Sequence, residues 1–351
     1  MTIHDLPKLP KNEMEALFEQ SKKRSLYFLI FSFSFIAFCV WQYFTTTNKA
    51  LQTSLFVIFC IAMSIWFFIS AGQVILLRLT SVPLEKVKEQ DLGDYSLIDV
   101  RKLRDKVFSK SLINEQPQLY IVNMDNAFAA AADIHLLNFI KPFNAIYISK
   151  GCFRNLTLDE IEAMILHEMA HFNKYMYHEA KTIGIGVNLF LFLPFAFTVL
   201  MPGSFLKIVF IVGVVICSSK IFSVIRRTKE YESHVNEYLC DFYAAEKTSL
   251  LVTINMLIAV AKDNIETEEE NKKKILEKII KPVNRTLVDW KTFDTLKVNG
   301  RIESEEFDGF IHTLVSHENP QLIKDTLVDH NSSSHPSLTN RILFLTNNFS
   351  K

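Results

Sequence analysis

Two histidines and a glutamate have the spacing His-Glu-x-x-His, at His167, Glu168 and His171. On an α-helix, residues four apart lie on one face, so both imidazoles can bind one metal ion. Glu168 can reach the open side of that metal and accept a proton from a water molecule. The spacing is typical of zinc hydrolases. The competing interpretation is an ordinary helix that exposes these three side chains to solvent.

A helix start is predicted just before this motif. Thr157 and Glu160 have the spacing of a capping box, in which each residue binds the backbone amide of the other. Apolar residues then recur at helical intervals, at Leu158, Ile161, Met164 and Ile165. The pattern predicts an amphipathic helix near 158–180 that carries the motif.

A catalytic zinc ion needs a third protein ligand, and its fourth position is left to water. Glu237 is the candidate, because Asp241 lies four residues later on the same predicted helical face. Asp241 can then bind the second ring nitrogen of a histidine ligand. Glu230 and Glu232 are rival acids that lack such a partner. An ordinary surface pair is the alternative interpretation of Glu237 and Asp241.

A further candidate pair lies near the end of the sequence. His335 precedes a proline, and Arg341 follows six residues later. A histidine and a guanidinium beside zinc could stabilise the oxyanion that forms when water attacks a carbonyl. The alternative is a loop histidine and a surface arginine.

Long uncharged runs explain why 49% of the 351 residues are hydrophobic. Four runs are long enough to cross a bilayer, at 25–44, 51–77, 182–201 and 205–225. A cleaved signal peptide is the alternative for the first run, and a buried or re-entrant hairpin for the last two. The 38 basic and 38 acidic residues balance, which argues against nucleic acid as a partner.

Positive charge flanks these runs mainly on one side, since the link between the first two runs carries only Lys49. Lys22, Lys23 and Arg24 precede the first run, Arg226 follows the fourth, and the link 202–204 is uncharged. This asymmetry predicts that the N-terminus and the polar segments lie in the cytoplasm.

The predicted fold is a mainly α membrane protein with four transmembrane helices and a zincin-like α+β catalytic domain containing a small sheet. Strands are predicted at 118–123 and 145–149, and a buried core helix at 250–261. The predicted divisions are an N-terminal segment 1–24, transmembrane helices 1 and 2 in 25–77, the first catalytic part in 78–180, transmembrane helices 3 and 4 in 181–225, and the second catalytic part in 226–351.

Together these motifs resemble those of the HtpX-type and CaaX-prenyl-protease membrane zinc peptidases, which are gluzincins. The resemblance runs from about 25 to 345, and the two N-terminal spans and Asn126-Ala127-Phe128-Ala129 are closer to the HtpX branch. It implies one Zn2+ per chain held by His167, His171 and Glu237. It also implies that Glu168 is the general base, that Asp241 supports a ligand, and that His335 and Arg341 stabilise the transition state.

Three positions depart from the pattern of these peptidases. Cys240 stands where alanine is common, Asn236 replaces a basic residue, and 174–176 lacks the acid that often follows the second histidine. The resemblance further implies that the stretch Asn126, Ala127, Phe128 and Ala129 binds substrate by strand pairing.

The expected activity is zinc-dependent endopeptidase cleavage of polypeptides at a cytoplasmic site. The expected substrates are misfolded or damaged proteins of the lipid bilayer, and the expected location is the bacterial inner membrane. Alternatives are an intramembrane protease, a CaaX-type protease acting on prenylated tails, and a non-catalytic membrane scaffold that binds metal. The charged flanks of the motif, such as Asp159 and Lys174, argue against the intramembrane protease.

Overall fold

The computed structural model describes residues 10–45, 75–111, 117–132, 145–173, 233–263, 301–317 and 338–349, together with Pro336 and scattered positions between 47 and 64. The chain divides into two compact units. The first combines Met1–Ala16, Leu76–Met176 and Ser233–Lys351, and the second combines Leu17–Ile75 and Tyr177–Glu232. The first unit contains every candidate site residue.

A four-stranded mixed sheet forms part of the first unit. Its strands are β1 (Ser81–Pro83), β2 (Gln118–Val122), β3 (Ala129–Ala132) and β4 (Ala145–Ser149). The order is β1-β2-β4-β3, with β2 and β4 parallel and the outer pairs antiparallel. The predicted strands at 118–123 and 145–149 are thus confirmed, and they are the two central strands of the sheet. Their continuous apolar residues suit strands that are buried on both faces. The sequence did not predict β1, whereas β3 overlaps the strand near 126–131 that the family resemblance implied.

The described part of the first unit also contains helices between and after these strands. They are α2 (Leu97–Ser111), α3 (Lys150–Asn155), α4 (Leu158–Asn173), α5 (233–247), α6 (250–263), α7 (Phe307–His317) and α8 (Leu338–Phe349). The predicted core helix 250–261 is confirmed as α6, which buries Ile254, Leu257 and Ile258. The described chain is therefore mainly helical, with one small sheet.

The motif helix α4 starts as its sequence predicts. Glu160 accepts a hydrogen bond from the Thr157 amide at 2.7 Å, and Thr157 Oγ1 accepts one from the Glu160 amide at 3.3 Å. Ile161 and Ile165 are fully buried, and α4 packs against α2 and β3. The capping box is thus confirmed. It fixes the start of the helix two turns before the first histidine.

Two buried carboxylates of α4 form ion pairs with neighbouring parts of the chain. The carboxylate of Glu162, which is buried, binds Lys106 and Lys110 of α2 at 2.5 Å each. The Arg301 guanidinium makes a two-pronged contact with Glu160, at 2.6 and 2.8 Å. These contacts anchor the first half of α4, which continues directly into the half that carries the two histidines.

The first predicted span falls within α1 (Lys11–Thr45), a helix of 35 residues. Among the described residues, no helix combines sufficient length with sufficient apolar character to cross a membrane. The predicted spans at 182–201 and 205–225 lie outside the described residues, as does most of 51–77. The charged stretch 266–281 also lies outside them.

Candidate metal centre

The two motif histidines lie one turn apart on α4. Their rings are 5.1 Å apart between centroids and nearly perpendicular. His167 is buried, and the side chain of His171 is 11% exposed. Both imidazoles therefore lie close together in a site that is largely closed to water.

The third candidate ligand comes from α5. The side chain of Glu237 is 3% exposed, and its two oxygens lie 3.4 Å from His167 Nε2 and 3.5 Å from His171 Nε2. Ligand atoms of the three residues all lie within 4.8 Å of one another. The rival acids Glu230 and Glu232 lie outside the described residues.

These three side chains fit a zinc ion in chemistry and in spacing. Two imidazoles and one carboxylate are a known catalytic zinc ligand set, and they leave one position for water. Zinc bonds of about 2.0–2.2 Å in a tetrahedron place the ligand atoms about 3.3–3.6 Å apart. The distances from Glu237 to the two histidines, 3.4 and 3.5 Å, fall within that range.

Asp241 contacts His167 at the ring nitrogen that does not face Glu237. His167 Nδ1 lies 2.9 Å from Asp241 Oδ1, and Asp241 is fully buried. Arg341 of α8 donates to both Asp241 oxygens at 2.6 Å and lies 3.5 Å from Glu237 Oε2. The chain Arg341–Asp241–His167 leaves Nε2 of the histidine facing the metal position.

The charges of this buried group favour a bound cation. Burial would lower the pKa of His167, but hydrogen bonds and charge from Asp241 and Glu237 outweigh it and raise the pKa to about 10. Burial would raise the pKa of Asp241, but Arg341 and His167 outweigh it and lower the pKa. Among the described residues, two buried carboxylates and one guanidinium lie together here, which favours a cation at this position. A metal ion bound by neutral histidines supplies that charge in place of the proton.

Glu168 points toward the edge of the sheet. Its carboxylate Oε2 accepts a hydrogen bond from the Ala131 amide of β3 at 2.6 Å. β3 is an outer strand, and among the described residues no strand pairs with its far side. The general-base candidate is therefore bound to the outer strand of the described sheet.

The predicted substrate-binding stretch 126–129 forms the turn that leads into β3. Ser149 Oγ donates to Asn126 O at 2.6 Å and accepts from the Phe128 amide at 2.9 Å, while the Ala127 amide binds Asp263. Backbone groups of three of the four residues are thus used within the protein. Only Ala129 belongs to β3 itself.

Gly151 is required for this turn. A Cβ at this position would overlap the backbone of Asp125 and Asn126, so no other residue fits without moving the turn. No sequence pattern indicated that the Ala131 amide binds Glu168 or that Asp263 anchors the turn.

The two candidate transition-state residues have different outcomes. His335 lies outside the described residues. Arg341 lies in the site, where its guanidinium is bound to the carboxylate of Asp241. Arg341 therefore supports the carboxylate of Asp241. Its predicted contact with an oxyanion stays a prediction.

Cys240 is a neighbour of the site that motif spacing did not point out as a contact. It is fully buried, and its Sγ lies 3.4 Å from His171 Nδ1. Burial and the carboxylates of Glu237 and Asp241 raise the pKa of this thiol well above its usual value. The group is therefore a neutral thiol beside the second histidine.

Comparison with known proteins identifies one matching family. The sequence model of Peptidase family M48 matches residues 99–348, which is 250 of the 351 residues and includes every candidate site residue. No curated protein and no solved structure matches the chain.

Proposed function

Because this chain belongs to peptidase family M48, which contains the HtpX and CaaX-prenyl-protease zinc metallopeptidases, we propose that it is an HtpX-like, membrane-anchored zinc endopeptidase. Membership of the family makes the chain a metallopeptidase and therefore a hydrolase. One observation carries the finer proposal. The ligand atoms of His167, His171 and Glu237 lie within 4.8 Å of one another, and on the same helix as the two histidines the carboxylate of Glu168 binds the Ala131 amide of the outer strand β3.

The proposed reaction is hydrolysis of a peptide bond. A bound zinc ion lowers the pKa of a water molecule and polarises the carbonyl under attack. Glu168 takes the proton from that water and passes it to the departing amine. Asp241 keeps the proton of His167 on Nδ1, so that Nε2 stays available as a ligand.

Register in the sheet identifies which groups of β3 can bind a substrate. The Ser149 amide donates to Phe128 O at 2.8 Å, so the backbone N–H and C=O groups of residues 128, 130 and 132 point toward β4. The backbone groups of Ala129 and Ala131 then point away from β4, in agreement with the contact between the Ala131 amide and Glu168. A substrate strand that pairs with β3 competes for that amide. We expect this competition to release Glu168 for its role as a base.

The membrane location is part of the proposal. Uncharged runs with basic flanks support it, and so do exposed large apolar side chains on α1. Tyr27, Ile30, Trp41 and Phe44 are 71%, 54%, 58% and 76% exposed. On this view the protein is a multi-pass protein of the inner membrane, its catalytic unit faces the cytoplasm, and its substrates are damaged membrane proteins.

Protease accessibility tests that location. In membrane vesicles with the cytoplasmic face outward, added protease should degrade the catalytic unit, and in vesicles of the opposite orientation it should not. Degradation in the second preparation alone would contradict the cytoplasmic site. Recovery of the full chain in the soluble fraction, without detergent, would contradict the membrane anchor.

The replacement Glu168→Gln tests the activity. It removes the base but keeps size and hydrogen bonding, so cleavage of an unfolded reporter polypeptide in detergent with zinc should fall at least about a hundredfold. Asp159→Asn is the matched control, because it removes an exposed carboxylate from the same helix. Undiminished cleavage by Glu168→Gln at full zinc content would exclude the mechanism.

A prenylated peptide in the same assay separates the proposal from its nearest alternative. The endopeptidase proposal predicts cleavage of the unmodified reporter. Cleavage of only the prenylated peptide would favour a CaaX-type protease. Zinc binding with no cleavage of either substrate would favour a metal-binding scaffold.

A further inference from the structure

Each motif histidine has a distinct neighbour at its second ring nitrogen. His167 Nδ1 lies 2.9 Å from a carboxylate oxygen of Asp241, and His171 Nδ1 lies 3.4 Å from the thiol sulfur of Cys240. Asp241 and Cys240 are both fully buried. The two ligands are therefore supported by groups of very different polarity.

Metal binding fixes the direction of the hydrogen bond at Cys240. A neutral imidazole that binds metal through Nε2 carries its proton on Nδ1. The Nδ1–H of His171 then points at a sulfur that accepts the hydrogen bond. This contact selects one tautomer and one ring orientation, as the carboxylate of Asp241 does for His167.

One face of α5 supplies all of these contacts. Glu237, Cys240 and Asp241 occupy positions i, i+3 and i+4, which lie on the same side of a helix. The helix therefore provides the third ligand and a neighbour for each histidine. A small shift of α5 would move all three contacts together.

We propose that Cys240 is a positioning residue, whose sulfur accepts the Nδ1–H of His171 and thereby holds this ring in its metal-binding orientation. The inference rests on zinc binding at the site proposed above. Sulfur accepts hydrogen bonds weakly, so Cys240 contributes less to metal affinity than Asp241 does.

The sulfur does not act as a ligand in this geometry. The atoms that can share one ion belong to His167, His171 and Glu237, and Cys240 is not in that group among the described residues. The proposal therefore predicts a metal site with nitrogen and oxygen ligands alone. A cysteine that binds the metal directly would make a sulfur-containing site.

Zinc affinity of the full-length protein in detergent, measured by competition with a chelator, tests the proposal. Removing a group that orients a ligand weakens metal binding by about tenfold to a hundredfold, and we expect Cys240→Ala to fall near the lower limit. Cys240→Ser keeps an acceptor at this position and should recover part of the loss. Cys152→Ala is the matched control, because Cys152 is also fully buried and contacts Ser149 and Phe128 instead of a ligand.

Substitution with cobalt gives an independent measurement. The proposal predicts no sulfur-to-cobalt charge-transfer absorption in the wild-type protein, and a shift in the visible cobalt bands of Cys240→Ala but not of Cys152→Ala. Charge-transfer absorption that disappears in Cys240→Ala would identify the sulfur as a ligand and overturn the proposal.

The affinities decide the remaining outcomes. Equal zinc affinity for Cys240→Ala and Cys152→Ala would overturn the inference while leaving zinc binding intact. Wild-type protein that binds no zinc would instead refute the proposed function. If Cys240→Ala does not fold, Cys240→Ser carries the test, since its shorter side chain moves the acceptor away from His171 Nδ1 and it should bind zinc more weakly than the wild type.

Discussion

Side chains hold one half of the site together, whereas the backbone holds the other half. The metal half consists of His167, His171, Glu237, Asp241 and Arg341, whose contacts are buried ion pairs and hydrogen bonds between side chains. The strand half consists of β3 and the turn 126–128, whose backbone amides and carbonyls bind the side chains of Ser149 and Glu168. Glu168 belongs to both halves.

This difference separates two chemical tasks. A metal ion requires particular ligand atoms at fixed distances, which only certain side chains provide. Strand pairing requires an open edge and works with almost any side chain, since the hydrogen bonds come from the backbone. The function of the metal half therefore depends on which side chains are present, whereas that of the strand half depends on the position of its backbone groups. Changes in each half should have separable effects.

Removal of the metal should have the largest effect and should act on one half only. A chelator should reduce cleavage at least about a thousandfold, and added zinc should restore it, because zinc supplies several kcal/mol of transition-state stabilisation. Binding of a fluorescent, uncleaved peptide should change little, since β3 contacts Glu168, which is not a metal ligand. Loss of peptide binding together with cleavage would contradict the separation of the two halves.

Replacement of Arg341 should have the next largest effect. Arg341→Leu leaves the buried carboxylate of Asp241 without its guanidinium, so the free energy of unfolding should fall by about 3–5 kcal/mol. Arg154→Leu is the control, because Arg154 pairs with the exposed Asp125 at the surface. Thermal unfolding with zinc present measures both variants. Equal stability of the two variants would show that the buried pair has no special importance.

The strand half should respond to a change that removes a single amide. Ala131→Pro removes the N–H that points away from β4, where proline is tolerated in an outer strand, and should reduce kcat/KM about tenfold with no change in zinc content. Ala131→Gly keeps the N–H and should cleave at close to the wild-type rate. A loss of zinc in the proline variant would mean that the two halves are not independent.

The anchor of the turn should have the smallest effect. Asp263→Asn weakens the charge-assisted contacts with the Ala127 amide and the Asn155 side chain, so the KM should rise severalfold at nearly constant kcat. Asp125→Asn changes an exposed acid near the same turn and should alter neither constant. A fall in kcat without a change in KM would contradict the assignment of this turn to substrate binding.

The metal half was largely predictable because its signals are local. The spacing of His167 and His171, and that of Glu237 and Asp241, follow directly from the helical repeat. The capping box placed the start of α4 for the same reason. The contact of Arg341 with Asp241 was not predictable, because it joins residues 100 positions apart through the packing of α5 against α8.

The strand half was less predictable because its contacts depend on sheet order. Nothing in the sequence states that β3 lies beside β4 at the edge, or that residues 126–128 turn inward. A run of alanines favours a helix over a strand by intrinsic propensity, so β3 goes against its local signal. The contact between Cys240 and His171 was missed for a related reason, since it depends on how α4 meets α5. The four membrane spans stay predictions.

Zinc content of a matched set of variants tests the central claim most directly. We expect one zinc ion per chain in the wild type, Glu230→Ala and Glu232→Ala, and loss of tightly bound zinc in Glu237→Ala. That result would establish that a ligand from α5 joins the two histidines of α4 across about seventy residues of intervening sequence. Full zinc occupancy in Glu237→Ala, with loss in either rival variant, would contradict the proposed metal centre.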